Sequence, residues 1–555
     1  MAAWESVLLS PGVAALLLVL FLLATFWILS SPGKSSPCLP PGPVPLPFIG
    51  NLHLIDLKRQ DSSFMKLSEK YGPVFTVHFG LQKAVVLTGY EAVKESLLSK
   101  GDEFIDRPDI PIFVEIQHGN GIFFSERELW RSTRRFTLSN MRDLGMGTKQ
   151  MEEKILEELH FLIEEIKSFQ GKPFPLQLLS TAPTNITFSL LFGSRFDYAD
   201  PTFQTLLKAI EEVMSLLGSF FLHVFNVYPF LGFLFKPHKM ILRKIDETCI
   251  VLKNCIQSKR PNINENNLNS YIDALLFKQQ EEKRSSTQNI FHDDNILASV
   301  LDLVMAGTET TATTLQWAIL LMMKYPDIQR KVQEEIQGVL GSERLPTAED
   351  RRRMPFANAV AHEVQRFASI VLQFPRRTAV DTHFRGYFIP KGTTVIPSLT
   401  SVMFDKTQWE TPHQFNPGHF LDSAGNFVKR DAFLPFSTGP LKTSGDLPHL
   451  GTSLLLRERS LLMFLCKGLR RVTEAPNRGS HPAFPVRVRH TGGCRSLSSG
   501  SWLTCVCLAA RRPARGEPGR ESSLPIPCPL ILASGDAVGW TLWTAGGEDA
   551  PSWAL

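Results

Sequence analysis

The sequence DDNILASVLDLVMAGTETTATTLQWAILLMMK, residues 293–324, predicts one long buried helix. Asp293 and Asp294 are favourable N-cap residues, and Pro326 follows shortly after Lys324, where a helix cannot continue. Apolar residues fall on nearly every side of this helix, not on one stripe. A helix that is apolar all round is typical of the interior of a large protein or of a membrane.

The apolar character of this segment is interrupted once, at residues 306–311, which read AGTETT. A carboxylate and a row of hydroxyls inside a buried helix are costly unless the protein uses them. Gly307 costs about 1 kcal/mol relative to alanine in a helix, and it would let a large flat group approach the backbone. The alternative is a core helix whose threonines bond back to their own carbonyls.

Composition describes a globular protein with a sizeable core. The chain has 555 residues, of which 43% are hydrophobic and 20% charged, and its net charge is +5. Phe is frequent (39) and Tyr scarce (7), so the aromatic interior is mostly without hydroxyls. No dense basic tract and no glycine-rich phosphate-binding motif is present. We therefore expect no nucleic-acid partner.

The N-terminus predicts a membrane anchor within residues 1–30. Val13 to Leu29 is an apolar run just long enough to span a bilayer, which takes roughly 17–25 residues. A cleaved signal peptide is the alternative, but its basic first region is missing, since Glu5 is the only charge before the run. Lys34 follows the run, which predicts a cytoplasmic body.

A proline-rich hinge is predicted at residues 31–50, where PPGPVPLP forms a semi-rigid connection. Ordered structure follows directly. Ser62 to Tyr71 is expected to be helical, Val74 to Phe79 and Lys83 to Thr88 to pair as a hairpin around Gly80, and Tyr90 to Ser99 to be helical again.

Several separated motifs resemble the microsomal cytochromes P450, of the family 2 type. They are the anchor with its PPGP, WRSTR at 130–134, AGTETT at 306–311, EVQR at 363–366, FNPGHF at 415–420 and FLPFSTG at 433–439. The resemblance implies a mainly α fold with a small β-rich lobe near the N-terminus. It covers roughly residues 1–439, which include a P450-like domain at residues 51–439.

The resemblance also implies a haem site, with heme b as cofactor. The implied contacts to the haem are Arg107, Trp130, Arg134, Ala306, Gly307 and Arg376. Arginine suits a haem propionate because its planar fork binds a carboxylate bidentately. Gln373 stands where histidine or arginine is expected, and Arg376 is a plausible substitute. Without the other motifs, a surface arginine beside a half-buried tryptophan would explain Trp130 and Arg134 equally well.

Glu309 and Thr310 are the implied catalytic residues, because oxygen activation needs protons delivered to a site closed to bulk water. A buried acid beside a hydroxyl, next to a local opening of the helix, can relay them. Residues 110–124 resemble a loop that caps the substrate pocket. The predicted pocket lining is Phe113, Val114, Ile116, Phe123, Val304, Ile370 and Phe374.

Two further segments have implied structural roles. Phe203 to Phe235 resembles the pocket roof that dips into the membrane, although ordinary core is equally compatible with it. Glu363 and Arg366 share one helix face and would form a buried pair that locks to residues 415–420, where His419 replaces the usual arginine. Out of this context the pair would be a common surface ion pair of little energetic weight.

The iron ligand of the family is missing from this chain. FLPFSTG begins the signature F-x-x-G-x-R-x-C-x-G, but Leu441 stands where the arginine belongs and Thr443 where the cysteine belongs. A threonine hydroxyl supplies none of the electron density that a thiolate pushes onto iron. No residue is therefore assigned as a metal ligand. Residues 440–555 have no resemblance to the family and are predicted to be a poorly ordered tail, which leaves the C-terminal part of the fold incomplete.

Two functions from different classes remain open. One is a monooxygenase of the endoplasmic reticulum membrane that inserts one oxygen atom from O2 into a lipophilic small molecule. Its electrons would come from NADPH through NADPH-cytochrome P450 reductase. The other is a non-catalytic membrane protein on a P450 scaffold, or an unstable splice or gene-model variant. The residue that separates the two is Thr443.

Overall fold

A computed structural model describes residues 39–437, except 146–147, 171–173, 266–267, 286–288, 342–346 and 348, together with residues 15, 18–19 and 21–22. Within them, α-helices dominate. In chain order they are α1 Gln60–Tyr71, α2 Tyr90–Lys94, α3 Pro111–Gln117, α4 Arg127–Asp143, α5 Lys149–Ser168, α6 Leu178–Phe192, α7 Pro201–Leu217, α8 Phe220–Val227, α9 Pro237–Lys259, α10 Tyr271–Ser285, α11 Asp293–Lys324, α12 Pro326–Leu340, α13 Pro355–Ala368 and α14 Leu399–Met403.

The strands form a small separate lobe. They are β1 Val74–Phe79, β2 Gln82–Leu87, β3 Arg376–Arg377, β4 Thr382–Phe384, β5 Tyr387–Ile389 and β6 Thr394–Pro397. The main sheet has the order β1-β2-β6-β3, and β4 pairs with β5. The hairpin of β1 and β2 turns at Gly80, whose φ of +60° suits glycine.

The mainly α fold with a small β-rich lobe is confirmed, but the lobe is not confined to the N-terminal part of the chain. The first hairpin is joined in parallel by β6, with Val85 opposite Val395, so the lobe combines early and late segments. Sequence patterns locate single strands, whereas pairing between distant strands depends on the folded chain.

The long helix α11 spans the predicted residues, yet its N-cap differs from the prediction. His292 is the N-cap, and its ring accepts a hydrogen bond from the backbone N–H of Asn295. Asp293 lies in the first turn, where Arg260 and Gln279 donate to its carboxylate at 2.6 and 2.8 Å. These hydrogen bonds and the charge of Arg260 lower the pKa of Asp293. Asp293 therefore ties the helix start to neighbouring segments.

Burial along α11 confirms that the helix has no solvent-facing side over most of its length. Every residue from Ala298 to Val304 and from Thr311 to Leu315 is buried, and each run exceeds one helical turn. The threonines are accommodated by hydrogen bonds. Thr184 of α6 donates to Thr308, and Thr314 donates back to the carbonyl of Thr310. The second bond matches the alternative interpretation of the threonine row.

The second half of the predicted hinge lies on the β lobe. Thr76 donates from its hydroxyl to the carbonyl of Pro40 and from its backbone to that of Pro41, at 2.9 and 2.7 Å. Asn51 donates to the carbonyl of Val44 at 3.1 Å. These contacts hold residues 40–50 against the first hairpin.

The predicted anchor and the predicted tail lie outside, or almost entirely outside, the residues that the structure describes. The anchor at residues 1–30 lies almost entirely outside the described residues, and the tail at 440–555 lies wholly outside them. Among the described residues, no helix is both long and apolar enough to cross a bilayer.

Candidate functional site

Three guanidinium groups and two aromatic rings meet between α4 and the chain leading into β3. Arg107 lies over the rings of both Trp130 and Phe374, at 5.9 and 5.2 Å from their centroids. Arg134 lies 5.3 Å from the centroid of Trp130, and Arg376 lies 5.0 Å from that of Phe374. Four predicted haem contacts, which come from three separate parts of the chain, are thus brought to one place.

This cluster fits a ligand that carries carboxylates. Arg107 donates to the carbonyls of Phe123 and Ile105, and within residues 39–437 as described, no carboxylate pairs with Arg107 or Arg376. Burial lowers the pKa of Arg376 to about 10, a direction that reflects the cost of keeping a cation out of water. A bound anion would offset that cost.

Arg377 and Gln373, which lie close to Arg376 in the sequence, do not take part in this cluster. Arg377 is held by Asp109, at 2.6 Å, and by Glu126. Gln373 donates to Gln60 at 3.0 Å and is buried, so it turns toward α1. Successive residues of an extended chain point to opposite sides, which separates Arg376 from Arg377.

A face of α11 opens at the AGTETT segment. Met305, Ala306, Glu309 and Thr310 are partly exposed, and their spacing places them on one side of the helix. Gly307, in contrast, is buried. Ala306 and Thr310, not Gly307, form the open face of the helix, and the approach of a flat group to the backbone at Gly307 stays a prediction.

The predicted local opening of the helix is also absent, since α11 is continuous through residues 306–311. The Thr310 hydroxyl donates to the carbonyl of Ala306 at 2.7 Å and is satisfied inside the helix. Glu309 accepts a hydrogen bond from Thr313 at 3.2 Å. Loss of hydration raises the pKa of Glu309 to about 7, so its carboxyl can hold or release a proton near neutral pH.

This shifted pKa predicts a pH dependence of stability. Below pH 7 the folded protein keeps the Glu309 proton, which the unfolded chain has lost above its ordinary pKa near 4.5. The contribution of Glu309 to stability is therefore present at low pH and falls as the pH rises through about 7. We expect the melting temperature to fall less between pH 5 and pH 8 in Glu309→Gln than in the wild type.

Differential scanning fluorimetry across this pH range checks the prediction. Glu334→Gln, at an exposed position of α12, serves as the control and should keep the wild-type slope. Equal slopes for Glu309→Gln and the wild type would contradict the raised pKa.

The predicted cap of the pocket is only partly a loop. Its first half is the helix α3, in which Ile112 is fully buried and Val114 is 46% exposed. Residues i and i+2 of a helix lie about 200° apart around its axis, so the side chains of Ile112 and Val114 face nearly opposite ways. Val114 thus faces away from the core, and Ile112 is the buried neighbour that the sequence pattern did not identify.

Aromatic contacts connect several predicted pocket residues. Phe123 meets Phe374 edge to face at 6.3 Å between ring centroids, and Phe113 stacks on Phe124 at 4.1 Å. Val304 is fully buried on α11, whereas Ile116 and Ile370 are half-buried. The phenylalanine pair of 123 and 374 joins the apolar wall to the cationic cluster.

Residues 203–235, the predicted roof segment, contain both buried core residues and exposed apolar residues. Phe203, Ile210 and Phe225 are buried in the core, whereas Phe230 and Phe233 of the 3₁₀-helix Pro229–Leu234 are 71% and 74% exposed. One face of α7 and of α8 therefore belongs to the core, whereas the exposed phenylalanines are Phe220 and Phe221 at the start of α8 and Phe230 and Phe233 after Tyr228.

Glu363 and Arg366 form a fully buried pair on α13. Two hydrogen bonds of 2.7 and 2.8 Å join the two side chains. Arg366 also donates to the carbonyls of Met403, Pro412 and Gln414. Glu363 accepts from the backbone of Asn416 and contacts the ring of His419 at 3.2 Å. The pair thus holds residues 403–419 against α13.

The cluster of Arg107, Trp130, Arg134 and Arg376 fits the carboxylates of a haem. The residues at the expected iron-ligand position do not fit its metal. Leu441 and Thr443 lie outside the described residues, and in the sequence they replace the arginine and cysteine of the signature. We therefore derive no step through the iron.

Sequence reasoning missed Asp302 and Asn295, two buried polar residues of α11. The signal was present, since Asp302 stands between Leu301 and Leu303 in an apolar run, where an unpaired carboxylate would be costly.

Comparison with known proteins agrees with this geometry. The family model of cytochrome P450 matches residues 40–442. Human cytochrome P450 2W1 is 53% identical over 431 residues, which cover 77% of this chain and 87% of that protein. Cytochrome P450 2K1 of Oncorhynchus mykiss is 43% identical over 446 residues, 79% of this chain and 88% of that protein. Cytochrome P450 2C3 of Oryctolagus cuniculus is 42% identical over 421 residues, 75% and 86% of the two chains.

The family match ends at residue 442, directly before Thr443, so the motif resemblance and the similarity to whole proteins cover nearly the same residues. With the fold and the separated motifs in agreement, the chain belongs to the cytochrome P450 family, and within it to family 2.

Proposed function

We propose that this chain binds heme b and a lipophilic small molecule on a monooxygenase scaffold, and that Thr443 deprives it of thiolate-supported oxygen chemistry. The family to which it belongs consists of haem monooxygenases. The observation that carries the proposal of haem binding is the convergence of Arg107 and Arg376 on the ring of Phe374, with Trp130 also against Arg107. Among the described residues, neither arginine has a carboxylate partner.

Each part of the site has a role in this proposal. Arg107, Arg134 and Arg376 would hold the haem carboxylates, with Trp130 ordering two of the guanidinium groups. A haem whose iron carries a cysteine thiolate supplies the push for O–O cleavage. Glu309 would hold a proton close to neutral pH at the open face of α11, and the Thr310 hydroxyl would exchange its bond to Ala306 for one to a bound group.

The class of substrate follows from the aromatic side chains that line the pocket wall. Phe123 and Phe374 present apolar edges, and aromatic walls bind apolar ligands by burial. These phenylalanines carry no hydrogen-bonding group, so a lipophilic molecule suits them.

The proposed location of the protein is the membrane of the endoplasmic reticulum, with its body on the cytoplasmic side. The N-terminal apolar run supports it, and so does an exposed apolar patch of Val44, Phe48, Leu81, Phe230 and Phe233. Tyr228 donates to the carbonyl of Phe48 at 2.6 Å and so joins the two halves of this patch. The patch and the anchor would then face the same lipid.

An electron donor is the second proposed partner, namely NADPH-cytochrome P450 reductase. Arg127, Arg131 and Arg135 are exposed on α4 and recur every fourth residue, which forms a basic ridge. Such a ridge favours association with an acidic surface. It runs along the helix that carries Trp130 and Arg134, so a docked donor would lie close to the haem carboxylates.

The alternative function is a non-catalytic scaffold, and Thr443 is the observation that favours it. A threonine at the ligand position leaves the pocket, the basic ridge and the apolar patch intact while removing the thiolate. An unstable splice or gene-model variant is the third possibility, since residues beyond 442 lie outside the family match.

A reduced carbon monoxide difference spectrum, with total haem quantified, tests the proposal on membranes that express the full chain. We expect haem to be present with a Soret band that is not of the thiolate type. A thiolate-type band would show that another cysteine reaches the iron and would restore the enzyme. Absence of haem would overturn the proposed cofactor site.

A further inference from the structure

The connector between α6 and α7, residues 193–200, is attached to α6 by one amide side chain. Asn185 of α6 is fully buried and bonds to both backbone groups of Phe196. The N–H of Phe196 donates to Oδ1 of Asn185, and its carbonyl accepts from Nδ2, each at 2.9 Å. Nδ2 also donates to Oε1 of Glu158 at 3.0 Å. Both amide hydrogens of Asn185 are therefore in use.

A buried carboxylate on α5 makes a second attachment to the connector. Glu158 is 3% exposed, and its Oε2 accepts from Nε of Arg195 at 2.7 Å. The guanidinium of Arg195 also lies 3.9 Å from the ring centroid of Phe161, one turn further along α5. Glu158 thus joins α5, α6 and the connector, and we call Glu158, Asn185 and Arg195 the connector clamp.

Aromatic contacts carry the position of the connector into α7. The Phe196 ring packs edge to face on Phe188 of α6 and stacks on Phe203 of α7, at 5.0 and 5.2 Å between centroids. Phe203 is fully buried in the first turn of α7. Asp200, the last residue of the connector, is the N-cap of α7 and accepts from the N–H groups of Thr202 and Phe203. The connector therefore determines where α7 begins.

Beyond its start, α7 packs more on α9 than on α6 or α11. Glu212 of α7 also pairs with Lys244 of α9 at 3.0 Å. The two helices thus form one unit, and α7 opens the predicted roof, residues 203–235. A unit of this kind can turn about the end at which it is held. The rigidity of the connector then determines how far the roof moves.

We propose that Glu158 and Asn185 are positioning residues, which fix the connector and so limit the movement of the roof over the pocket. The inference rests on the proposed function, because it assumes that this roof covers a ligand. Direct contact with a ligand is the competing role for a buried acid. It is disfavoured because protein donors already occupy both oxygens of the Glu158 carboxylate.

Hydrogen exchange of the full-length chain in detergent, without haem, tests the clamp. In Glu158→Gln the new amide N–H₂ meets a donor whichever way it turns, either Asn185 or Arg195. The matched control is Glu164→Gln, which removes an exposed ion pair on the same helix. We expect exchange within residues 195–204 to rise at least about tenfold in Glu158→Gln, as for a lost hydrogen bond to a charged group. Exchange in α11 should match the control.

A rescue variant separates positioning from general loss of stability. In Glu158→Gln with Arg195→Gln, the amide oxygen at position 195 is as many bonds from Cα as Nε of arginine, so it can accept from the new amide. We expect exchange in residues 195–204 to return to within about threefold of the wild type. Asn185→Ala should loosen the same residues while Glu158 is intact, and it keeps the inference testable if Glu158→Gln fails to fold.

Two further readouts ask whether the clamp acts on the roof. Without haem, exchange in residues 218–235, beyond the far end of α7, should rise in Glu158→Gln and not in Glu164→Gln. With hemin bound and reduced, stopped-flow mixing compares carbon monoxide with tert-butyl isocyanide, a bulky apolar ligand of ferrous haem. We expect the isocyanide to associate at least about fivefold faster in Glu158→Gln than in the control, and carbon monoxide within about twofold, because only the bulky ligand needs the roof to move.

Three results would overturn the role of the clamp: exchange in residues 195–204 that equals the Glu164→Gln control, exchange that rises evenly over the core, or a rescue pair that behaves as Glu158→Gln alone. Unchanged exchange in residues 218–235 together with equal isocyanide rates would reject its action on the roof. No hemin binding by the wild type would instead reject the proposed haem site, and the exchange of the two segments would then decide the inference.

Discussion

Replacing Arg366 with methionine is expected to lower the free energy of unfolding by about 3–5 kcal/mol, the cost of leaving a buried charge without its partner. Glu363 would lose two hydrogen bonds and the guanidinium that pairs with it, and three backbone carbonyls would lose their donor. Against a total stability of about 5–15 kcal/mol, this change would remove a large share of the margin that keeps the protein folded. Denaturant unfolding of the full chain in detergent measures it.

The matched control is Arg243→Met, which removes an exposed ion pair with Glu247 on α9. Such pairs contribute about 0–1 kcal/mol, and Lys244 remains beside Glu247. The double variant Arg366→Met, Glu363→Leu should recover only part of the loss, because the carbonyls of Met403, Pro412 and Gln414 stay unpaired. An Arg366→Met variant that is as stable as Arg243→Met would contradict the structural role of the pair.

The double variant Leu441→Arg, Thr443→Cys is expected to convert part of the haem to a thiolate-type Soret band in the reduced carbon monoxide spectrum. It restores the arginine and the sulfur of the family signature, and with them the electron push onto iron. We expect partial conversion and partial turnover, because the family match ends at residue 442 and the residues beyond it differ from the family.

Thr443→Ser is the control for this experiment, since it keeps a hydroxyl and adds no sulfur. It should leave the spectrum of the wild type unchanged. Full turnover by the double variant would show that the difference between the tail, residues 440–555, and the family has little effect on activity. A thiolate-type band in the Thr443→Ser control would place the ligand elsewhere among the cysteines of the chain.

Much of the candidate site could be predicted from motifs, because each motif is local. Glu363 and Arg366 are three residues apart on one helix, so their pairing follows from helix geometry. The same holds for Trp130 and Arg134. The burial of the ion pair and its bonds to residues 403–419 could not be predicted this way, since they depend on which segment packs on that face.

The burial of single side chains could not be predicted where the local pattern was ambiguous. Val114 and Ile112 are both apolar, and only the helix α3 and its neighbours determine which of them is buried. Gly307 suggested an open backbone, but α6 covers that part of α11 and leaves the neighbouring face of Ala306 and Thr310 open.

The sequence by itself determined the buried helix of residues 293–324, the membership of the family and the loss of the cysteine at position 443, because periodicity and motifs are properties of neighbouring residues. The tertiary structure decided which distant residues meet. Arg107, Trp130 and Phe374 come from three separate segments, and Glu158 of α5 pairs with Arg195 beyond the end of α6. Contacts of this kind form only when packing brings the segments together, and no local pattern encodes them.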